Sequence, residues 1–206
     1  LLLGGSTTGS NALANATLGV NNSGTIAWTS STGLPSGRMF AAKVVLPDGR
    51  ILLYGGSGAN NTPTYADGYF GTITGNTIAW TAAVGNLPTV SRQFSMVLLT
   101  DGRILAVSVS GTYIGTISGN TVTWVGVSVP YPGGVTHQAA SVLPDGRVVV
   151  TGGISGNSQG AVFLGTVAGN AIAWVKDIGG MPTTKYAHQM VTLADGRLMV
   201  VGGTGG

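Results

Sequence analysis

The sequence predicts an all-β protein made of repeated four-stranded antiparallel sheets, and three observations carry that prediction. First, one block recurs four times: a Trp (Trp28, Trp80, Trp124, Trp174), a Pro seven or eight residues on, and an Asp-Gly-Arg turn 20 or 21 residues after the Trp. The turns begin at Asp48, Asp101, Asp145 and Asp195, so the period runs 53, 44 and 50 residues, the length of a repeat holding several short strands. Second, the run after each turn, such as Ile51-Leu52-Leu53-Tyr54 or Val148-Val149-Val150, is apolar on both sides. A strand of that kind needs cover on both faces, which sheets packed face to face provide. Third, helical periodicity is absent, and 36 Gly with 8 Pro oppose it.

Laying the copies over one another assigns the strands. A hairpin precedes each Trp, as in Gly71 to Trp80, Gly115 to Trp124 and Gly165 to Trp174. Its Gly-Asn turn (75–76, 119–120, 169–170) suits a two-residue connection, because Gly accepts the positive φ that matches strand twist; Ser23-Gly24 takes that place in the first copy. A second hairpin closes on Leu-Pro-Asp-Gly-Arg at 46–50 and 143–147, where Pro presets φ, Asp bonds its own backbone and Gly turns left-handed. Thr100 and Ala194 replace that Pro in the other two copies, which predicts weaker turns. Each unit thus has strands A (Gln138 to Leu143 in one copy), B (Arg147 to Thr151), C (Ala161 to Val167) and D (Asn170 to Trp174).

This pattern resembles the kelch repeat of β-propellers: a double Gly, an aromatic, a Trp, a Pro, then a basic residue or His before the next inner strand. Gly55-Gly56, Tyr69, Trp80, Pro88, Arg92 follow it, and so do Gly152-Gly153, Phe163, Trp174, Pro182, His188. The resemblance implies four-stranded blades with the Trp rings packed between neighbours. Three blades are complete (38–80, 91–125, 137–175); B, C and D strands precede them and an A and B pair (186–203) follows. The chain therefore reads as one kelch region, 1–206, with repeats near 1–46, 47–99, 100–143 and 144–193 and a final strand at 197–203. It is expected to be a window of a longer propeller, or one completed by other chains.

Zero Cys excludes disulfides and thiolate metal sites, though not secretion. The charged fraction is 7% and Glu is absent, and we expect an extracellular, cell-surface or virion protein. Mean hydropathy is +0.37, yet no run approaches the roughly 18 apolar residues of a spanning helix. Four Asp and four Arg belong to the turns, which leaves Arg38, Lys43, Arg92, Lys176 and Lys185 against Asp67 and Asp177. Those seven are scattered without a basic stripe, so no nucleic-acid partner is expected.

Catalytic patterns are thin. Asp67 and Asp177 lie in different blades, and His137 and His188 sit just before strand A, where kelch repeats carry a structural His. Copper radical oxidases of the galactose oxidase type use the same fold and similar turns but need a Cys crosslinked to a Tyr. Without Cys, Tyr131, Tyr186, His137 and His188 are at most remnants of that ligand set. No cofactor, metal or catalytic residue is assigned. Gly-rich strings such as 55–58 and 202–206 lead into no helix and read as strand-ending loops.

In a four-strand meander the tight A–B and C–D turns share one face, while the unequal B–C and D–A connections share the other, where recognition belongs. The candidate ligand-binding residues of that loop face are Asn60, Tyr65, Arg38, Arg92, Tyr131, Asn157, Gln159 and Lys185. Neutral hydrogen-bonding groups with a few aromatics suit a glycan or a protein partner. The expected function is a non-enzymatic binding or structural module. The alternative is a carbohydrate-active enzyme, an oxidase or sugar isomerase, with part of its machinery elsewhere.

Overall fold

The computed structural model describes residues 2–6, 10–89 and 92–205. It forms two compact units, one of residues 1–92 with 119–121 and one of 93–118 with 122–206. The first unit holds a three-stranded sheet, β1 (Leu2–Leu3), β2 (Ala16–Asn22) and β3 (Thr25–Ser31), and a four-stranded one, β4 (Ala42–Val45), β5 (Ile51–Tyr54), β6 (Gly68–Thr74) and β7 (Thr77–Ala82). The second begins with β8 (Ser95–Leu98), β9 (Ile104–Ser108), β10 (Gly111–Ser118) and β11 (Thr121–Gly126). There follow β12 (Ala139–Val142), β13 (Val148–Thr151), a small hairpin of β14 (Ile154–Ser155) and β15 (Asn157–Ser158), then β16 (Val162–Ala168) and β17 (Ala171–Lys176). A last pair, β18 (Tyr186–Thr192) and β19 (Leu198–Thr204), ends the fold. Every pairing between these named strands is antiparallel, and each four-stranded sheet keeps its strands in chain order once the β14–β15 hairpin is set aside. The expected all-β, blade-like sheets are present: among the described residues three have four strands, the first has three and the last is an A–B pair. The single helical segment among the described residues is a 3-10 turn at Ala59–Asn61.

The B strands are buried as their composition requires. Ile51, Leu52, Leu53 and Tyr54 are all buried, as are Ile104 to Val107 and Val148 to Val150. In the first unit Ile51 and Ile78 pack on Ala16, Leu18 and Leu3, joining two sheets. In the second, Leu105 and Val107 of β9 share a core with Val148 and Val150 of β13, Phe163 and Ile172.

All four Asp-Gly-Arg turns close alike, including those without Pro. The Asp Oδ1 accepts the Arg backbone N–H at 3.0 Å in each, and the Gly N–H bonds the Leu carbonyl at 2.9–3.0 Å. These bonds favour the ionised carboxylate: the Arg50 N–H holds Asp48 below the ordinary range, and the Arg103 guanidinium does the same for Asp101. The missing Pro is thus without effect on turn geometry, because Asp and Gly determine it. Two of the turn arginines also bond beyond their own turn. Arg50 also reaches into a Gly-Asn turn, its Nη1 donating to Gly119 O and Asn120 Oδ1 at 3.0 Å each. Arg103 does the same to Gly169 O at 2.7 Å and Asn170 Oδ1 at 3.3 Å. Two of the four turns, those of Arg50 and Arg103, therefore each clasp a Gly-Asn turn.

Double glycines perform the matching task at the other end of the B strands. Gly152 (φ 59°) and Gly153 (φ 103°) are both left-handed; Gly152 N–H bonds Ala161 O of its own sheet, and Gly153 N–H bonds Lys185 O before the next A strand, at 2.8 Å. A Cβ on Gly153 would meet Val135 and Thr136 at under 3.0 Å, so no other residue fits. Gly4 and Gly5 repeat the arrangement toward Arg38 O.

Each Trp ring lies over a Gly of its own C strand: Trp28 on Gly19, Trp80 on Gly71, Trp124 on Gly115, Trp174 on Gly165. The packing is thus first within a blade, which refines the expectation of rings held only between blades. Contact with the preceding blade is added to it, since Trp80 Nε1 donates to Thr32 O at 3.1 Å and Trp174 meets the Tyr131 ring edge-on at 5.4 Å. Trp28 is 56% exposed. Trp174→Ala should cost about 3–5 kcal/mol by loss of a large packed aromatic, and Trp28→Ala less than half as much. Urea midpoints of the two variants measure this; equal losses would contradict it.

Candidate functional site

The loop face is assembled by short backbone bridges. Met39, just before strand β4, pairs in both directions with Ser57 after β5, and Thr136 pairs likewise with Ile154. In these two sheets B–C and D–A segments therefore share one side. The sequence candidates fall into two groups, one in each unit, with two residues outside both.

In the first unit Arg38 and Tyr65 come together, with Asn60 in the same B–C loop. Arg38 is 1% exposed, and its guanidinium donates to Gly55 O at 2.9 Å and pairs with Asp67 Oδ2 at 2.7 Å. The guanidinium carbon lies 4.1 Å from the Tyr65 ring centre and 5.0 Å from that of Tyr69. Burial with a carboxylate, two carbonyls and two aromatic faces makes Arg38 the pillar of the loop, which corrects its expected place among ligand donors. Asp67 is its counter-ion. Tyr65 is half-buried against Arg38, and Asn60 is exposed at the tip with φ 52°. Ser57 is fully buried, so this loop is part of the sheet's structure and cannot be excised freely.

In the second unit Asn157, Gln159 and Lys185 come together. Lys185 N–H bonds Gln159 O at 3.0 Å, and Gln159 N–H bonds Gly153 O at 2.8 Å. The Gln159 amide nitrogen donates to Asn157 O at 3.0 Å, while Ser158 and Thr184 share a hydroxyl–hydroxyl bond of 2.8 Å. Asn157 is exposed, and Gln159, Ser158, Thr184 and Lys185 are half-buried. The result is a small platform of amides and hydroxyls, held by backbone bonds that include those of Lys185.

Two candidates lie elsewhere. Tyr131 is 6% exposed in the core, edge-on to Phe163 at 5.3 Å, and burial pushes its hydroxyl up to about 12. It is a core residue, a correction that its place in the repeat explains, because the D–A segment dips between sheets there. Arg92 is half-buried and joins neither group. Lys43, the one charge at an A-strand position where Met96 is buried, is exposed. Asp177 Oδ2 accepts Gly180 N–H at 3.1 Å and so closes its own loop.

The sequence reading missed a repeated backbone feature. Phe40, Gln93, His137 and Ala187, each eight residues before a turn Asp, are all left-handed at φ 55–58°. His137 N–H bonds Gln93 O, and Ala187 N–H bonds His137 O, both at 2.9 Å. Their constant spacing was the available signal; their residue types gave none. Among the described residues no three His, Asp or Glu side chains gather as a metal site would.

His188 is 2% exposed with Nε2 at 2.8 Å from Thr151 Oγ1, and its buried Nδ1 meets no partner among the described residues. Burial, helped by the Lys185 charge, lowers its pKa. The unfolded chain then takes up the proton first, near the ordinary value of about 6.5. Stability should be fully present above that pH and fall as pH drops below it, and His188→Gln should flatten this part of the profile. Urea midpoints between neutral and mildly acidic pH check this; an unchanged slope in the variant would contradict it.

No family model matches the chain, and no curated protein matches it. Solved structures do match: the chain superposes on one described as "Structure of YjhT" with a TM-score of 0.69 at 14% identity, covering 87% of this chain and 66% of that one. The chain thus spans just under two thirds of that structure's length. At such identity the likeness concerns the fold alone: this is an all-β array of antiparallel four-stranded sheets similar to YjhT.

Proposed function

We propose that the chain is a segment of a kelch-type β-propeller acting as a non-enzymatic recognition module for a neutral glycan, in a secreted, cell-surface or virion appendage protein. The observation that carries this reading is the platform of Asn157, Gln159, Ser158, Thr184 and Lys185, whose backbone is fixed by Lys185 N–H to Gln159 O at 3.0 Å. Amides and hydroxyls presented rigidly match the alternating donors and acceptors of a sugar, and fixing them beforehand lowers the entropy lost on binding. The low charge of the chain and its few aromatics agree with a polar, uncharged ligand.

A glycan array probed with the wild-type chain and with Asn157→Ala, Lys185→Ala and the remote control Lys176→Ala tests the reading. Each platform variant should weaken binding about 2–10-fold, the value of one hydrogen bond, and the control should not. Retention of binding in both platform variants would refute the site. Turnover of a bound sugar would refute the non-enzymatic role and favour the carbohydrate-active alternative.

A further inference from the structure

The residue after each left-handed position, seven before a turn Asp, is Ala41, Phe94, Gln138 or His188. In the second unit two of these reach the end of the preceding B strand: Gln138 Nε2 donates to Val107 O at 2.8 Å, and His188 Nε2 lies 2.8 Å from Thr151 Oγ1. The two contacts are equivalent in place and unlike in chemistry, because an amide stays neutral at every ordinary pH and an imidazole does not. Of the four copies, only the one that adjoins the Asn157–Lys185 platform carries a titrating group there.

The surroundings of the ring fix where an added proton goes. Thr151 Oγ1 donates to Met190 Sδ at 3.6 Å, so toward His188 it accepts, which puts the ring proton on Nε2 and leaves a bare lone pair on Nδ1. That nitrogen is buried and meets no partner among the described residues. A Cβ on Gly152 would lie 2.8 Å from His188 Cε1 and 2.9 Å from Met181 Cε, and one on Gly203 would lie 2.8 Å from His188 Cβ, so both glycine pairs pack against the residue. The groups about it are thus Thr151 and Gly152 at the end of β13, Gly203 of β19, Met190 of its own strand, and Met181 and Lys185 of the D–A segment. Lys185 alone among them is charged, and it repels a second cation. Tyr186 and His137, the latter tied by its carbonyl to Ala187 N–H at 2.9 Å, are the other titratable groups alongside. No carboxylate among these groups supplies a counter-charge.

We propose that His188 is an acid-operated latch on the platform: a proton added at Nδ1 drives the ring from its place against Thr151 and Gly152, and the β14–β15 hairpin parts from Lys185. The coupling is short. Three residues separate His188 from Lys185, whose carbonyl takes the Gly153 N–H at 2.8 Å and whose own N–H bonds Gln159 O at 3.0 Å, while Gln159 N–H bonds Gly153 O at 2.8 Å. Protonation creates an N–H with nothing to accept it and a charge out of water beside Lys185, and exposing the ring relieves both. The rest of the sheet keeps its bonds, since Val148 to Val150 pair with β12 and β16 rather than with this segment. Release of a ligand in acid rests on the recognition role proposed above; the latch itself does not.

Hydrogen exchange of single amides, followed by NMR on the full chain from neutral to mildly acidic pH, tests the latch without any ligand. The protection factors of Gly153, Gln159 and Lys185 should fall about tenfold per pH unit below about 6.5, the signature of one proton taken up on opening. They should lie well below those of Val149 and Val150 and be insensitive to low urea, as an opening that exposes little surface requires. His188→Gln, which follows the sequence's own use of Gln138 one repeat earlier, should make all three independent of pH. If that variant fails to fold, His188→Phe, after Phe94, takes its place. Protection indifferent to pH in the wild type, protection lost only together with that of Val149 and Val150, or a slope that survives in the variant overturns the latch. A glycan array read at neutral and mildly acidic pH separates the two proposals. Binding lost in acid by the wild type but kept by His188→Gln supports release, and binding unchanged while the amides open refutes release and the platform as the ligand's seat. An array with no binding at either pH refutes the recognition role, while the exchange result still decides the latch.

Discussion

No sheet of this chain can hide its own B strand. Ile51 to Tyr54, Ile104 to Val107 and Val148 to Val150 are apolar on both faces, and burying such side chains contributes about 1.5–3 kcal/mol each. A four-stranded sheet supplies hydrogen bonds along the edges of that strand but nothing above or below it. Cover must come from the next sheet, so stability resides largely in nearest-neighbour interfaces. The charges respond to the same constraint. Four of the five ion pairs among the described residues lie in the turns, where Arg50 and Arg103 also bind Gly-Asn turns through carbonyl and amide acceptors.

Most of the fold could be read from the sequence because each element is marked by a residue with one physical use. Asp-Gly-Arg makes one kind of turn, Gly-Asn another, and a doubly apolar run has one place to go. The loop face was read less well. Arg38 and Tyr131 looked like surface donors because they stand in variable segments, yet both are buried, Arg38 beneath Tyr65 and Tyr131 against Phe163 and Trp174. A sequence gives the type of a loop residue but not the direction in which a D–A segment turns. Asn157, Gln159 and Lys185 were gathered by Gly152-Gly153, whose N–H groups draw the start of the next A strand against the B–C loop. That link depends on backbone geometry and has no signature in side-chain chemistry.

The two faces of each sheet therefore do different work with different chemistry. The tight-turn side uses ions, short range and repetition, and every copy makes the same bonds to Asp. The loop side uses mainly neutral groups around the buried Arg38–Asp67 pair, and its described B–C loops differ: a 3-10 turn at 59–61, a tight connection at 109–110, a small hairpin at 154–158. Regularity on one side maintains the stacking, which leaves the other free to vary.

The left-handed residues before each A strand bear on what varies there. Holding a non-glycine residue at φ near +57° costs on the order of 1 kcal/mol or more, and a chain with 36 glycines has the cheaper residue to hand. Phe40, Gln93, His137 and Ala187 stand there instead, at one position in four successive repeats. Four different side chains are thus kept where the backbone alone would favour none. One turn thus serves unlike residues, because the repeat's own backbone bonds, His137 N–H to Gln93 O and Ala187 N–H to His137 O, hold the conformation whichever side chain stands there.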